Sequence, residues 1–448
     1  MVSGKKSEQV SVPDKGTTII AKVKPNLKER GNNGARRKEY FNLETCHHDI
    51  YPDAAEFKVE EGKKIRTTDC IRYEFIPPRF IKHIYHQHYY ACKGTVYAGS
   101  LPAVPLLNSN YDASFIAGIL QLRYIYSMPV ERIIKLFAEH GFEMNKATAH
   151  GLIKKAAGLF DLVEDVLKET VLSDNYLSMD ESYYTVLTSD TNNSSGKSTA
   201  KGYIWAALAN HLKLVHFFYE NGSRSRKVLT GYLREDYRGA IQSDGLGNYK
   251  IIEKEAYPDA IRLSCFQHCK RKFLNITGNK DAEKIVRIIN RLYQNEHRIP
   301  PDWTACQILD YRNKYAPPIL KELKEELINI KNKKSTLPKS ELSKAINYTL
   351  NEYDALCNYI RSADYAPDNN AIERLMRYIS LSRRNSLFCG SHQGAKRAAL
   401  IYSLACSCRL NNINSFEYFK DLLTKLIDIN PNTDHETIRN LLPHKWQR

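Results

Sequence analysis

The sequence of 448 residues has no long hydrophobic run, and its ten cysteines are irregularly spaced. A membrane-spanning helix needs about 20 consecutive apolar residues, and no segment approaches that length. The N-terminus also lacks the apolar core of a secretion signal. Irregular cysteines in a chain without such a signal are typical of reduced thiols rather than of a disulfide framework. We therefore expect a cytoplasmic protein with no membrane partner.

Acidic residues are fewer than basic ones, with 50 Asp and Glu against 66 Lys and Arg, so the formal charge is +16 at pH 7. Clustered basic side chains gain affinity for a phosphate backbone by releasing its counterions. This excess favours a polyanionic partner, although charge alone fits DNA, RNA or an anionic membrane surface. The length predicts several domains rather than one.

The N-terminal quarter is predicted to contain two different regions. Residues 1–40 carry basic residues among Gly and Asn with little apolar periodicity, which predicts a flexible basic arm. Residues 41–105 include alternating segments at 73–76 and 81–90, which are typical of a small β-rich unit.

Residues 106–172 are predicted to be helical and to contain a helix-turn-helix. Pro129 fits the first turn of one helix, Gly141 fits its end, and Asn145 fits the cap of the next. The second helix would present four polar residues to DNA, as recognition helices do. They are Lys146, Thr148, His150 and Lys154. A helical hairpin with no DNA role fits the same local pattern equally well.

Residues 173–280 change to strands, with three strands in succession, a helix, and then alternating β and α segments. This order predicts a mixed sheet with at least one right-handed crossover, the order that ribonuclease-H-like folds use. The predicted strands are 176–180, 183–187, 202–208, 214–219, 239–244 and 261–265, and the predicted helices are 225–233 and 247–256.

The C-terminal half is predicted to interrupt this core and then to complete it. Residues 281–362 have two apolar helical stripes and form an all-helical insertion, residues 363–400 return to the core, and residues 401–448 form a helical tail. The fold class is therefore α+β or α/β and multidomain. A ribonuclease-H-like mixed-sheet catalytic core would follow a small β unit and a helix-turn-helix region.

Three acids have settings that suggest metal-dependent chemistry on phosphates. Asp180 and Asp244 each end a predicted strand, and Glu373 opens a basic helix. Hard cations such as Mg²⁺ are held by carboxylates in this kind of setting, and two such ions catalyse in-line displacement at phosphorus. We predict that Asp180 bridges two Mg²⁺ or Mn²⁺ ions, while Asp244 and Glu373 each complete one site.

Each acid taken alone has a simpler interpretation. An Asp after a strand is more often a turn residue or helix cap, and a Glu beside Arg374 and Arg377 is more often a salt-bridge partner. Glu181 is a rival to Asp180, but in an extended strand its side chain would point to the opposite face.

The segment from Cys265 to Phe273 combines cysteine, histidine and basic residues. No second Cys or His pair follows at zinc-finger spacing, so we predict that Cys265 and His268 support the site by packing and orientation. Basic residues here and near Glu373 are predicted to contact DNA phosphate, with a merely solvated basic face as the alternative. They are Lys270, Arg271, Lys272, Arg374, Arg377, Arg383 and Arg384.

Several motifs occur in a specific order along residues 70–445. They are Asp180-Glu181-Ser182, the segments 201–205, 243–249, 265–273, 368–374, 382–391 and 401–404, and Leu410-Asn411-Asn412. In these the chain resembles DDE transposases of the insertion-sequence sixty-six family. The resemblance implies a catalytic triad of Asp180, Asp244 and Glu373 that binds Mg²⁺, with an all-helical insertion before the Glu.

The N-terminal region departs from that family's pattern. Family members commonly begin with a coiled coil followed by a zinc module with two Cys-x-x-Cys pairs. Here the coiled coil is missing, and residues 41–105 retain only the scattered Cys46, Cys70 and Cys92 at the module's position. We therefore expect no structural zinc.

The sequence thus predicts a bacterial DNA transposase that binds the terminal inverted repeats of an insertion element. It would cleave and join strands into target DNA. Because two element ends must be handled together, we expect a homodimer, and small proteins encoded by the element are candidate accessory partners. The protein would associate with the nucleoid when bound to DNA. Two alternatives remain: an inactive transposase-derived DNA-binding protein and a plain metal-dependent nuclease.

Overall fold

The computed structural model describes residues 79–92, 95–107, 109–187, 199–245, 247–250 and 257–447. The predicted basic arm lies outside these residues, as do Cys46, Cys70 and the predicted strand at 73–76. The first described elements are strands β1 (Tyr89–Cys92) and β2 (Thr95–Ala98), which pair antiparallel. The predicted strand at 81–90 begins only at Tyr89. Ile81 and Ile84 before it are exposed, so no apolar face stabilises an extended strand there.

The helical region begins with α1 (Ala113–Leu120), which continues into a π-helical turn at Gln121–Ile125, and then has α2 (Val130–Glu139) and α3 (Lys146–Leu172). The predicted caps are present. Gly141 has φ of +80°, and the Asn145 side chain accepts a hydrogen bond of 2.7 Å from the Thr148 amide. Helix α3 is long because its apolar stripe continues through Phe160 to Leu172 and packs into the main core.

The central feature is a five-stranded mixed sheet in the order β5-β4-β3-β6-β7. Its strands are β3 (Tyr176–Leu187), β4 (Thr199–Ala209), β5 (Leu214–Phe218), β6 (Ala240–Gln242) and β7 (Ile261–Leu263). Strands β3 to β5 pair antiparallel, whereas β3, β6 and β7 are parallel. The predicted mixed sheet is confirmed. The predicted strands at 176–180 and 183–187 form one strand, because β4 pairs along its length from Leu177 to Leu187.

Short helices connect the strands of the second half of the sheet. Helix α4 (Arg226–Tyr232) precedes β6, a 3-10 helix at Gly247–Lys250 follows it, and α5 (Phe266–Leu274) follows β7. The predicted helices at 225–233 and 247–256 begin where expected, and residues 251–256 lie outside the described part.

The helical insertion consists of α6 (Lys280–His297), α7 (Ala305–Lys331), α8 (Glu341–Asn351), α9 (Tyr353–Cys357) and a 3-10 helix at Asn358–Arg361. It shares a separate hydrophobic cluster with α5. The chain then forms α10 (Asn370–Asn385), α11 (His392–Leu410), α12 (Ser415–Lys425) and α13 (His435–Arg439). In the described part of the chain, no helix is both long and apolar enough to cross a membrane.

One continuous hydrophobic core joins helices α1–α4, strands β3–β6 and helices α10–α12, while Leu263 of β7 packs with Tyr176 and Ala240 in a small separate cluster. Helix α11 packs on β5 at the edge of the sheet. Ser403 and Ser407 of α11 accept hydrogen bonds from the amides of Phe217 and Val215, at 2.8 and 3.0 Å. These hydroxyls satisfy backbone groups of an edge strand that would otherwise invite pairing with another chain.

Candidate active site

The pairing register of β3 and β6 sets the positions of the two aspartates. The strands are parallel, and Ser178 is paired with Gln242 at the end of their ladder. Asp180 and Asp244 each lie two residues beyond this pair, so the two residues reach the same end of the sheet at the same level. Both are partly buried. The two acids were each predicted to end a strand, but Asp180 lies inside β3, which continues to Leu187, and Asp244 lies two residues after the end of β6. The parallel pairing of β3 with β6 nevertheless brings the two residues to one level.

Asn369, at the start of α10, connects that helix to the aspartates' end of the sheet. Its side chain is 1% exposed and donates a hydrogen bond of 2.9 Å to the carbonyl of Met179, the residue before Asp180. Its backbone amide donates to Cys265 Sγ at 3.2 Å. Glu373 follows one turn later, and its amide bonds to the Asn369 carbonyl at 3.2 Å. Asn369 thus fixes the first turn of α10, which carries Glu373.

The segment before Asn369 is also held by the sheet. The Gln242 side chain donates to the Ala366 carbonyl at 2.8 Å, and the Ala366 amide donates to the Tyr176 hydroxyl at 3.1 Å. The Phe266 amide donates to the Pro367 carbonyl at 3.0 Å. Strands β3 and β6 and the start of α5 therefore all restrain the approach to Glu373.

The acids repel one another. Burial raises the pKa of Asp180 well above its usual range, and the negative charges of Glu181, Asp244 and Glu373 raise it further. A bound cation would offset such a concentration of like charge. Glu373 Oε1 is buried, and no hydrogen-bond partner for it exists among the described residues. Asp180 thus feels the charges of Asp244 and Glu373, and Glu373 retains an oxygen without a hydrogen bond; carboxylates of this kind fit the ligand preference of Mg²⁺ or Mn²⁺.

Glu181, the neighbour of Asp180, is held by protein donors. It accepts hydrogen bonds from Tyr249 Oη at 2.9 Å and from Arg224 Nη2 at 2.7 Å, and its side chain is 2% exposed. Burial raises the pKa of Glu181, while the bond from Arg224 lowers it. Its partners belong to the face of the sheet that carries Trp205 and Tyr249, as the alternation of strand side chains predicts.

Cys265 and His268 lie beside Glu373. His268 Nδ1 is 3.5 Å from Glu373 Oε1, and ligand atoms of Cys265, His268 and Glu373 all lie within 4.8 Å of one another. Burial raises the pKa of the Cys265 thiol to about 12, and its sulfur accepts a hydrogen bond from the Asn369 amide. This bond fits the predicted supporting role of Cys265, and the three residues are also of types that can hold a metal ion.

Comparison with known proteins decides the family. Residues 108–397 match the Transposase IS66 family. The chain belongs to the IS66 family of transposases. The uncharacterized protein y4jD of Sinorhizobium fredii is 26% identical over 371 residues, which are 80% of this chain and 70% of that protein. The uncharacterized protein y4hP of the same organism is 24% identical, and the matched region covers 75% of this chain and 62% of that protein.

One solved structure is weakly similar to this chain. The Drosophila P element transposase strand transfer complex matches 66% of this chain and 92% of that chain, with 12% identity and a TM-score of 0.36. A likeness this small carries no argument about the fold of this IS66-family transposase, so the sheet order and the family match describe it instead.

The predicted DNA-contacting residues of this transposase have different surroundings. On α3, His150 and Lys154 are exposed, Thr148 is half-buried, and Lys146 pairs with Glu131 of α2. On α5, Arg271 Nη2 is 3.6 Å from Glu373 Oε2, while Lys270 and Lys272 lie over the rings of Tyr293 and Tyr348. On α10, Arg374, Arg377 and Arg384 are exposed, whereas Arg383 is half-buried.

Sequence reasoning did not identify Asn369, Arg224 and Tyr249. Asn369 stands in the segment 368–370 that precedes Glu373, and Tyr249 stands five residues after Asp244, so both belong to motifs that were recognised as a whole. Arg224 has no local pattern, because its bond to Glu181 depends on the tertiary packing of the loop before α4.

Proposed function

We propose that the protein is a DDE-type DNA transposase with a ribonuclease-H-like core. It binds the terminal inverted repeats of an insertion element and catalyses metal-dependent strand cleavage and strand transfer. The observation that carries the proposal is the common level of Asp180 on β3 and Asp244 just after the parallel strand β6, with the helix that carries Glu373 bonded to β3 through Asn369. Membership of a transposase family supports the same function.

Asp180, Asp244 and Glu373 would hold two Mg²⁺ or Mn²⁺ ions, which activate the attacking oxygen and stabilise the leaving oxygen when bound. The other residues of the site contribute by holding the Glu373 carboxylate in position. Asn369 and the restrained segment before it fix Glu373, and Cys265 accepts the Asn369 amide. His268 and Arg271 approach the Glu373 carboxylate from α5 and limit its rotation. Well-fixed ligands matter, because small misplacements at a reacting centre reduce rates strongly.

The reaction would proceed in two displacements at phosphorus. Water attacks the phosphodiester at the element end, forms a new P–O bond, and releases a 3′ hydroxyl. That hydroxyl attacks a target phosphodiester, joins the element to one side, and displaces the target's 3′ oxygen as a hydroxyl. The number of phosphodiester bonds is conserved in the second step, so no external energy source is required.

DNA binding would use residues around this centre and on α3. His150 and Lys154 offer exposed polar side chains on α3, and Arg374, Arg377 and Arg384 form a basic surface on α10 near Glu373. These positions suit phosphate contacts, which contribute most of the sequence-independent affinity for DNA. We propose a homodimer on paired element ends, with element-encoded small proteins as candidate accessory partners.

The test is strand transfer by the purified protein on labelled DNA that carries the element's inverted repeats, with Mg²⁺ or Mn²⁺. Asp180→Asn, Asp244→Asn and Glu373→Gln should each abolish cleavage and joining while leaving end binding nearly unchanged. Asp259→Asn is the matched control, because the Asp259 side chain is exposed and pairs with Arg238 rather than with the acids of the site. Joining that survives in Asp180→Asn would refute the proposal.

Two other outcomes of this experiment would favour a different function. Specific end binding without cleavage, in the wild type and the variants alike, would favour an inactive DNA-binding protein. Cleavage without joining would favour a plain nuclease.

A further inference from the structure

The outer part of the β3–β4 pair carries tyrosines and basic residues that the proposed chemistry does not use. Tyr183 and Tyr203 are directly opposite each other in the register, so they share one face of the sheet. Tyr183 is 43% exposed and Tyr203 is half-buried. An exposed aromatic pair on a sheet offers flat, apolar surfaces for stacking.

Three cations surround these two rings. Lys201 Nζ lies 4.9 Å from the centre of the Tyr183 ring and 5.6 Å from that of Tyr203. The Arg224 guanidinium is 4.9 Å from the Tyr203 ring, and the Arg383 guanidinium is 3.6 Å from the Tyr183 ring. We call these five residues the tyrosine strip.

Both arginines of the strip are held in place by other contacts. Arg383 donates to Ser182 Oγ at 2.8 Å and to the Tyr183 carbonyl at 2.6 Å, while Arg224 is bonded to Glu181. Glu181 compensates one of the three positive charges, so the strip remains net positive. The Arg224 side chain is still 42% exposed and retains donors that face solvent.

The strip lies close to the acid cluster. Tyr183 is three residues beyond Asp180 on the same strand, about 10 Å at the rise of an extended chain, and the two side chains leave β3 on opposite faces. Arg383 connects the two faces, because it lies over the Tyr183 ring and also donates to Ser182 Oγ on the Asp180 face. That distance is about one or two nucleotides of an extended DNA strand. Stacking surfaces interleaved with cations are the means by which proteins bind unpaired nucleotides without sequence preference.

We propose that the tyrosine strip is a stacking subsite for unpaired nucleotides of the DNA strand that enters the acid cluster. The inference rests on the proposed function, because that function brings a DNA strand to Asp180. Paired bases in a duplex are stacked on each other and leave no base face for Tyr183 or Tyr203. The strip would therefore favour a locally opened strand next to the scissile phosphate.

The test compares two labelled single strands of equal length, one of thymidines and one with abasic sites, by fluorescence anisotropy on the full chain. Their backbone charge is equal, so the difference reports stacking alone. The wild type should bind the thymidine strand about tenfold more tightly. Tyr183→Leu and Tyr203→Leu should each remove most of that difference, and Lys201→Gln should weaken both strands equally.

Tyr315→Leu is the control, because Tyr315 is also 43% exposed and also lies beside a lysine, but on α7. It should leave the difference unchanged. Circular dichroism checks that each variant is folded, and Tyr183→Leu at its exposed position keeps the test valid if Tyr203→Leu unfolds. Equal binding of the two strands by the wild type would overturn the inference.

Strand transfer by the same preparation separates this inference from the proposed function. A wild type that joins DNA but ignores the abasic replacement overturns only the stacking subsite. A wild type that prefers the thymidine strand but neither cleaves nor joins inverted-repeat DNA overturns the transposase function and leaves a binding surface.

Discussion

Asn369→Ala is expected to damage both stability and catalysis, because one buried side chain connects α10 to β3. The substitution removes the hydrogen bond of 2.9 Å to the Met179 carbonyl but keeps the backbone bond to Cys265 Sγ. Strand β6 is paired with β3 only as far as Ser178, so it supplies no replacement donor for Met179. A buried carbonyl left without its partner costs about 1 to 3 kcal/mol.

The expected loss of unfolding free energy is therefore about 1 to 3 kcal/mol, measured by urea denaturation. Catalysis should suffer separately, since Glu373 lies one turn beyond Asn369. A displacement of about 1 Å at a reacting centre costs about 100-fold in rate. Cleavage of inverted-repeat DNA should fall by that order at a temperature where the variant remains folded.

Asn370→Ala is the matched control. Asn370 is the next residue, and its side chain forms no hydrogen bond within the described part of the chain. It should be as stable and as active as the wild type. The reasoning would be refuted if Asn369→Ala and Asn370→Ala had the same stability and rate. A stability loss in Asn369→Ala with an unchanged cleavage rate would refute the positioning role alone.

Three further predictions concern buried charge. Glu352→Ala should lower the unfolding free energy by about 3 to 5 kcal/mol, because it removes the carboxylate that lies 2.5 Å from the buried Arg262 guanidinium. Glu341 is exposed, so the control Glu341→Ala should change the unfolding free energy little in the same urea titration. Burial lowers the pKa of His216 to about 3, so its contribution to stability is complete above the unfolded pKa near 6.5 and is lost as pH falls towards 3. Between pH 6.5 and 5 the wild type should lose roughly 2 kcal/mol more than His216→Gln, and equal losses would contradict this. Asp180→Asn should raise the melting temperature of the metal-free protein at pH 7, because it removes a buried carboxylate that neighbouring acids repel. The same substitution should abolish the increase in melting temperature that Mg²⁺ gives the wild type. An unchanged response to Mg²⁺ would contradict the assignment of Asp180 as a metal ligand.

The order of strands and helices in the core could be predicted from the sequence, because the patterns that indicate them are local. The sequence predicted a mixed sheet, which the structure has, but it placed Asp180 and Asp244 at strand ends, whereas Asp180 lies inside β3 and Asp244 follows β6. It divided β3 in two, because the polar segment at 180–182 is typical of a turn. In the structure β4 pairs across that segment, so tertiary pairing overrides local propensity there.

The supporting contacts made by Asn369, Arg224 and Tyr249 were not predictable from the sequence, unlike the supporting positions of Cys265 and His268. Asn369 bonds to Met179, and Arg224 and Tyr249 bond to Glu181, across long stretches of chain. Polar residues of these types occur throughout the chain, so composition and spacing do not select them. The packing of α10 on β3 brings Asn369 to Met179, whereas the packing of the loop before α4 and of the 3-10 helix at Gly247–Lys250 brings Arg224 and Tyr249 to Glu181.

The two ends of the helical insertion are bonded to each other and to the sheet at what we call the base of the insertion. These bonds explain how Glu373 lies near the aspartates although the whole insertion separates them in sequence. The insertion leaves the sheet after α5 and returns at α10, and both ends are bonded near one point. The Ser264 amide donates to the Ala355 carbonyl at 3.2 Å, and the Phe266 amide donates to the Pro367 carbonyl at 3.0 Å. The buried Arg262–Glu352 pair joins β7 to the same base. Since the hydrophobic cluster of α6–α9 is separate from the main core, the position of Glu373 depends on this base rather than on the length of the insertion.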